Sequence, residues 1–257
     1  MEDTKELKQL LDRKVALYNQ SGFIEKDPVS IPHSFSGRQD IEIAGLFAAV
    51  LAWGNRTTII NNCRKLMMWM DNSPYDFIVH HKDTDLKKFV HFVHRTYNAT
   101  DLLYFISFLQ YHFRTHDTLE DAFVSGKKYT NDTVEEALVH FHNYFFSIEH
   151  PERTKKHIAT PERNSACKRI NMYLRWMVRR DKAGVDFGLW KKISPAQLVC
   201  PLDVHVARVA ERLGLLDNNR SHWNNALQLT YHLREFDPKD PAIYDYALFG
   251  LGAEERF

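Results

Sequence analysis

Apolar positions along this chain recur at helical intervals, and strand-like alternation is scarce. Within 6–18, Leu7, Leu10, Leu11, Val15 and Leu17 fall close to one face. Residues 19–37 are polar and proline-containing, which predicts a loop. Residues 40–52 are almost entirely apolar apart from Glu42, predicting a helix buried at the centre of the fold. A break at Trp53-Gly54-Asn55-Arg56 leads into a helix over 57–70, and Ser73-Pro74 opens a short one. Further helices are expected over 85–94, 101–113 and 133–146, with Asp101 as an N-cap. Residues 150–161 are polar, basic and punctuated by proline, so an exposed loop or subdomain boundary is expected near 147–162 of a single helical domain. A basic helix over 165–179 carries Ile170, Tyr173, Leu174 and Met177 as its apolar stripe, and 181–195 reads as a loop. Helices over 223–236 and 242–248 close the chain, the first stopped by Asp237-Pro238-Lys239-Asp240-Pro241. The expected class is all-α.

The segment Pro201-Leu202-Asp203-Val204-His205-Val206-Ala207-Arg208-Val209 has the clearest two-faced pattern. Val206, Val209, Ala210 and Leu213 form its apolar stripe, His205, Arg208 and Arg212 stand on another face, and Gly214 stops the helix. Asp203 sits where an N-cap belongs.

Composition narrows the class. With 257 residues, 44% of them hydrophobic, the chain can bury a sizeable core. The net charge of +1 hides an uneven distribution, because 150–192 holds twelve Lys/Arg against four Asp/Glu. Such a strip suits a polyanion, although a solvated loop has the same composition. Cys63, Cys167 and Cys200 match no zinc or iron–sulfur spacing and are odd in number, so a reducing cytoplasm is expected. The charged opening Met1-Glu2-Asp3-Thr4-Lys5-Glu6 lacks a signal-peptide pattern, and the longest apolar run, 44–53, is too short to span a bilayer. No membrane partner is therefore expected.

Pro201-Leu202-Asp203-Val204-His205-Val206 resembles the segment bearing the catalytic Asp of helix-hairpin-helix DNA glycosylases, the endonuclease III and 8-oxoguanine glycosylase superfamily. Ser165-Ala166-Cys167-Lys168-Arg169-Ile170 resembles the segment with its catalytic Lys. Residues 41–56 are similar to that fold's buried early helix and the turn after it, and Tyr244-Asp245-Tyr246-Ala247-Leu248-Phe249-Gly250 to its closing helix. With Leu174-Arg175-Trp176-Met177-Val178-Arg179, the chain resembles a bacterial protein family distantly related to these glycosylases. The resemblance implies a multi-helix glycosylase-like fold, monomeric, with duplex DNA carrying a damaged base as partner. It implies Asp203 and Lys168 as catalytic residues, and Asn55, with Arg56 beside it, filling the gap left by an extruded base. Two departures stand out. Thr160-Pro161-Glu162-Arg163-Asn164, before Lys168, has no glycine where the superfamily hairpin uses several. Lys168 and Asp203 are also separated by roughly twice the commonest superfamily spacing. No four-cysteine cluster follows the last helix, so no iron–sulfur centre or other cofactor is expected.

The chemistry fits these residue types. A carboxylate beside the sugar stabilises the positive charge that develops as a base leaves. A neutral lysine amine can attack the sugar carbon and form a Schiff base, and cations close to it in sequence favour that neutral form. Arg163, Arg169, Arg175, Arg179, Arg180, Lys191, Lys192, His205 and Arg208 are the expected nucleic-acid contacts, with Trp190 as a stacking platform. Two alternatives stand beside this reading. One is a non-catalytic nucleic-acid-binding module on the same fold. The other is a helical metal-dependent phosphohydrolase built on His116-Asp117, with His112, His80-His81 or His91 and His94 as further ligands.

Overall fold

A computed structural model describes residues 2–126, 128–255 and 257. The protein is mostly helical, and its one sheet among the described residues is a two-stranded hairpin. The chain forms two compact units. One comprises Met1–Phe23, Lys128–Glu136 and Thr160–Phe257, and the other Ile24–Lys127 and Ala137–Ala159. No helix among the described residues is long and apolar enough to cross a membrane.

The second unit is built around helix Arg38–Leu51, which is buried continuously from Ile41 onward, as its unbroken apolar run predicts. Glu42, its one buried charge, is satisfied locally. It accepts from the Thr118 hydroxyl at 2.6 Å and from the Leu119 amide at 2.9 Å, and Arg38 reaches it from one turn back. Phe47, Phe105, Phe108 and Phe145 join ring to ring, Phe108 and Phe145 with centroids 4.3 Å apart. The expected helix over 85–94 is a short 3₁₀ segment, Asp85–Phe89, followed by strand Val93–His94 paired antiparallel with Tyr97–Asn98. Helix Ala99–Phe113 is capped by Asn98 rather than Asp101. The Asn98 side chain accepts from the Thr100 amide, and Asp101 returns the bond to the Asn98 amide, completing a capping box.

The first unit packs helices Glu2–Tyr18, Lys168–Val178, Val204–Arg212, Trp223–Phe236 and Asp245–Phe249, the last continuing into a π-helical turn, Gly250–Glu254. Gly250 is required where that turn meets the first helix, because a Cβ there would lie 2.2 Å from the Tyr18 ring. The stretch 181–195 hooks back over the end of helix Lys168–Val178. The Phe187 and Trp190 amides donate to the Trp176 and Met177 carbonyls at 2.8 and 2.9 Å, satisfying acceptors that a helix end leaves open. Gly188 turns this loop with φ +59°, and a Cβ there would meet that of Arg180 at 2.4 Å.

Candidate active site

Asp203 and Lys168 lie together in the first unit. The Asp203 side chain caps helix Val204–Arg212, one carboxylate oxygen accepting from the His205 and Val206 amides at 2.9 Å each. That fixes the carboxylate, and its other oxygen lies 3.8 Å from Lys168 Nζ. Lys168 opens helix Lys168–Val178 and runs past Met172 Sδ at 3.9 Å. The two side chains are 23% and 24% exposed, so the pair is half-sheltered yet open to a ligand.

The turn before Lys168 achieves without glycine what glycine makes easy. Asn164 (φ +54°) and Cys167 (φ +49°) are both left-handed. The Asn164 carbonyl accepts from the Trp223 amide, and Ser165 bridges to His222, which ties the turn to the start of helix Trp223–Phe236. Asn tolerates this conformation well; Cys167 holds it in a buried setting, where burial pushes its thiol up to about 12.

Below the pair lies a buried charge network that sequence reading missed. Arg175 donates to Asp245, and its Nε lies 3.4 Å from Asp186. Arg179 donates to Asp186, to both Asp240 oxygens at 2.8 and 2.9 Å, and to Asp181 at 2.9 Å. The Arg175 guanidinium also stacks 4.2 Å over the Tyr246 ring. Burial pushes the Asp245 carboxyl up to about 6 against the opposing pull of Arg175 and Lys168. Burial raises the Asp186 carboxyl against Arg175 and Arg179. Burial would lower the Arg179 guanidinium, but Asp240 and Asp186 more than offset it and hold it above its usual range. The one signal for this network was an Asp between two tyrosines in the apolar closing helix.

Three residues expected at a nucleic-acid interface are therefore corrected to the interior. Arg175 is buried and Arg179 is 0% exposed, each neutralised by aspartates. Trp190 is 1% exposed and packs edge-on against Tyr173, so its ring offers no stacking face. The remaining candidates are accessible to differing degrees. Arg163, Arg180, Lys191 and His205 are exposed, while Arg169, Lys192 and Arg208 are half-buried. Asn55 and Arg56 belong to the second unit, where the Asn55 side chain caps helix Arg56–Trp69 through the Thr58 amide. The basic strip is also divided, since 150–159 lies in the second unit, where Arg153 pairs with Asp101.

Apart from His91, which is exposed, the histidines expected as metal ligands have other partners. His112 is buried, its Nε2 2.9 Å from the Thr118 carbonyl and its Nδ1 3.2 Å from the Tyr144 hydroxyl. His116 stacks on it with ring centroids 4.6 Å apart. His94 lies between Asn62 and the Trp53 carbonyl, and His80 and His81 contact carbonyls of their own helix. Among the described residues, no three His, Cys, Asp or Glu gather where they could hold a metal ion.

Compared with known proteins, residues 27–254 match the model of a family described as "Protein of unknown function (DUF2400)". No curated protein and no solved structure matches the chain.

Proposed function

The chain belongs to the DUF2400 family, and from the pairing of Lys168 with Asp203 we propose that it is a monomeric DNA-binding protein that excises damaged bases, on a helix-hairpin-helix glycosylase-like fold. The observation that carries this reading is the 3.8 Å approach of a partly exposed lysine to a carboxylate fixed by a helix N-terminus. An oxygen already accepting two backbone amides suits a standing negative charge. Placed beside a deoxyribose, it stabilises the cation-like sugar formed as the glycosidic bond breaks. Lys168 is the amine that takes the sugar carbon. The C1′–N bond breaks, the base leaves with its electron pair and takes up a proton, and the attached sugar opens to a Schiff base. Arg163, Arg169, Arg180, Lys191, Lys192, His205 and Arg208 supply phosphate contacts, and no cofactor is needed. The reading implies a cytoplasmic protein, which three free cysteines suit.

Borohydride trapping on a panel of lesion-containing duplexes tests this. A reduced covalent adduct, lost in Lys168→Gln, is expected. Excision without an adduct would keep Asp203 and remove the lysine step. A second reading, DNA binding without excision, draws on the glycine-free turn, whose carbonyl and strand-like edge are already taken by Trp223 and His222. Salt-sensitive binding with no excision of any lesion would favour it. No binding even at low salt would remove both readings.

A further inference from the structure

Helix Lys168–Val178 carries its charges, Arg169 apart, in register. Lys168, Met172, Arg175 and Arg179, the residue after its last turn, are spaced by four, three and four, and so stand along one face. Each cation on that face meets aspartates from elsewhere in the unit. Lys168 faces Asp203, Arg175 holds Asp245 and contacts Asp186, and Arg179 binds Asp186, Asp240 and Asp181. Only the Lys168 rung has both members open to solvent. Asp245 interacts electrostatically with Lys168 and Asp203 as well as with Arg175, so it links the buried rungs to the open one.

Stability alone is a poor reason for such a ladder, because a buried ion pair is often no better than a well-packed apolar pair of the same size. What it supplies is a fixed rotation and depth for one helix. A lysine amine lies about 8 Å from the helix axis, and a turn of about 20° would move it by roughly 3 Å. That is enough to break the approach to Asp203.

We propose that Asp245, acting through Arg175, is a positioning residue for the Lys168–Asp203 pair, locking the rotation of the helix that carries the amine. The inference rests on reading that pair as the functional one. Its test needs no substrate. The folded protein is reductively methylated with formaldehyde and cyanoborohydride, and Lys168 modification is measured by mass spectrometry against exposed Lys182 of the same unit. Asp245→Asn keeps the size of the side chain and removes the charge. Lys168 labelling is expected to rise at least threefold relative to Lys182, because a helix free to turn carries the amine away from Asp203 toward solvent. Arg175→Lys keeps the charge and loses the fork, and is expected to shift the same ratio, so it carries the test if Asp245→Asn does not fold. An unchanged ratio in folded variants overturns the proposal. If the wild-type protein excises a base, kcat should fall about tenfold or more in Asp245→Asn with KM unchanged; a change in KM alone overturns it. A shifted ratio in a protein with no excision activity supports the positioning role and removes the excision reading, so the two fail separately.

Discussion

Asp203 has two roles that substitutions can separate. One carboxylate oxygen caps a helix through two amides, and the other faces Lys168. Asp203→Ala removes both. Loss of an N-cap costs about 1 kcal/mol. The ion pair, with both ends about a quarter exposed, contributes no more than about 1 kcal/mol after solvent screening. The alanine variant should therefore lose about 1–2 kcal/mol, and for a chain of this size its melting temperature should fall by roughly 2–8 °C. Asp203→Asn keeps an equally good cap and loses only the pair, so its melting temperature should stay within about 4 °C of wild type. Excision should not follow that order. Both variants lack the charge facing the sugar, and the loss of one preorganised electrostatic group typically costs about 10²–10³-fold in rate. Calorimetry and a single-turnover excision assay on the same preparations give the comparison. Wild-type excision by Asp203→Asn would return Asp203 to a capping role alone, and an asparagine variant as unstable as the alanine variant would refute the capping argument.

Three further outcomes follow from the same geometry. Arg179→Met leaves the buried Asp186, and the partly exposed Asp240, without their main cation and should cost about 3–5 kcal/mol, seen as a fall of roughly 6–20 °C on heating; a drop below 2 °C would show that the network is dispensable. His112 is held at about 4 chiefly by burial, so its stabilising contribution is complete above the unfolded value near 6.5 and is lost as pH falls toward 4. That contribution is about 3 kcal/mol, and acid titrations of denaturant stability should show it in wild type and lack it in His112→Gln; identical slopes would sink the assignment. Trp190→Ala should cost about 3–5 kcal/mol as a core truncation. DNA affinity measured below its unfolding range should stay within twofold, whereas a large selective loss would restore the stacking role.

The parts of this protein legible in its sequence are those whose physics is local. Helix Arg38–Leu51 follows from an unbroken apolar run, helix Trp223–Phe236 from its periodicity and the prolines after it, and the start of helix Val204–Arg212 from an aspartate placed before a two-faced pattern. Two local signals were misread. Asn98 and Asp101 form a reciprocal cap three residues apart, and reading Asp101 alone displaced the helix start. Strand Val93–His94 has two residues, too few to show a period, and the chain reverses at Arg95, whose positive φ no glycine announced. The site was half legible for the same reason: Asp203 declares itself by position, but the partners of Arg175 and Arg179 lie up to 70 and 61 residues further along the chain. A charge count over 150–192 sees every cation but only Asp181 and Asp186 among those aspartate partners, missing Asp240 and Asp245. Loop 181–195 misled in the same way. Its glycines and lysines suggest a solvated excursion, yet its amides close the end of helix Lys168–Val178 and its tryptophan fills the space beside Tyr173. The polyanion footprint is consequently smaller than composition suggests. Each phosphate contact adds about −0.9 to the slope of log K against log salt on duplex DNA. Arg175 and Arg179 can add nothing to it, since each would first have to leave a buried aspartate unpaired.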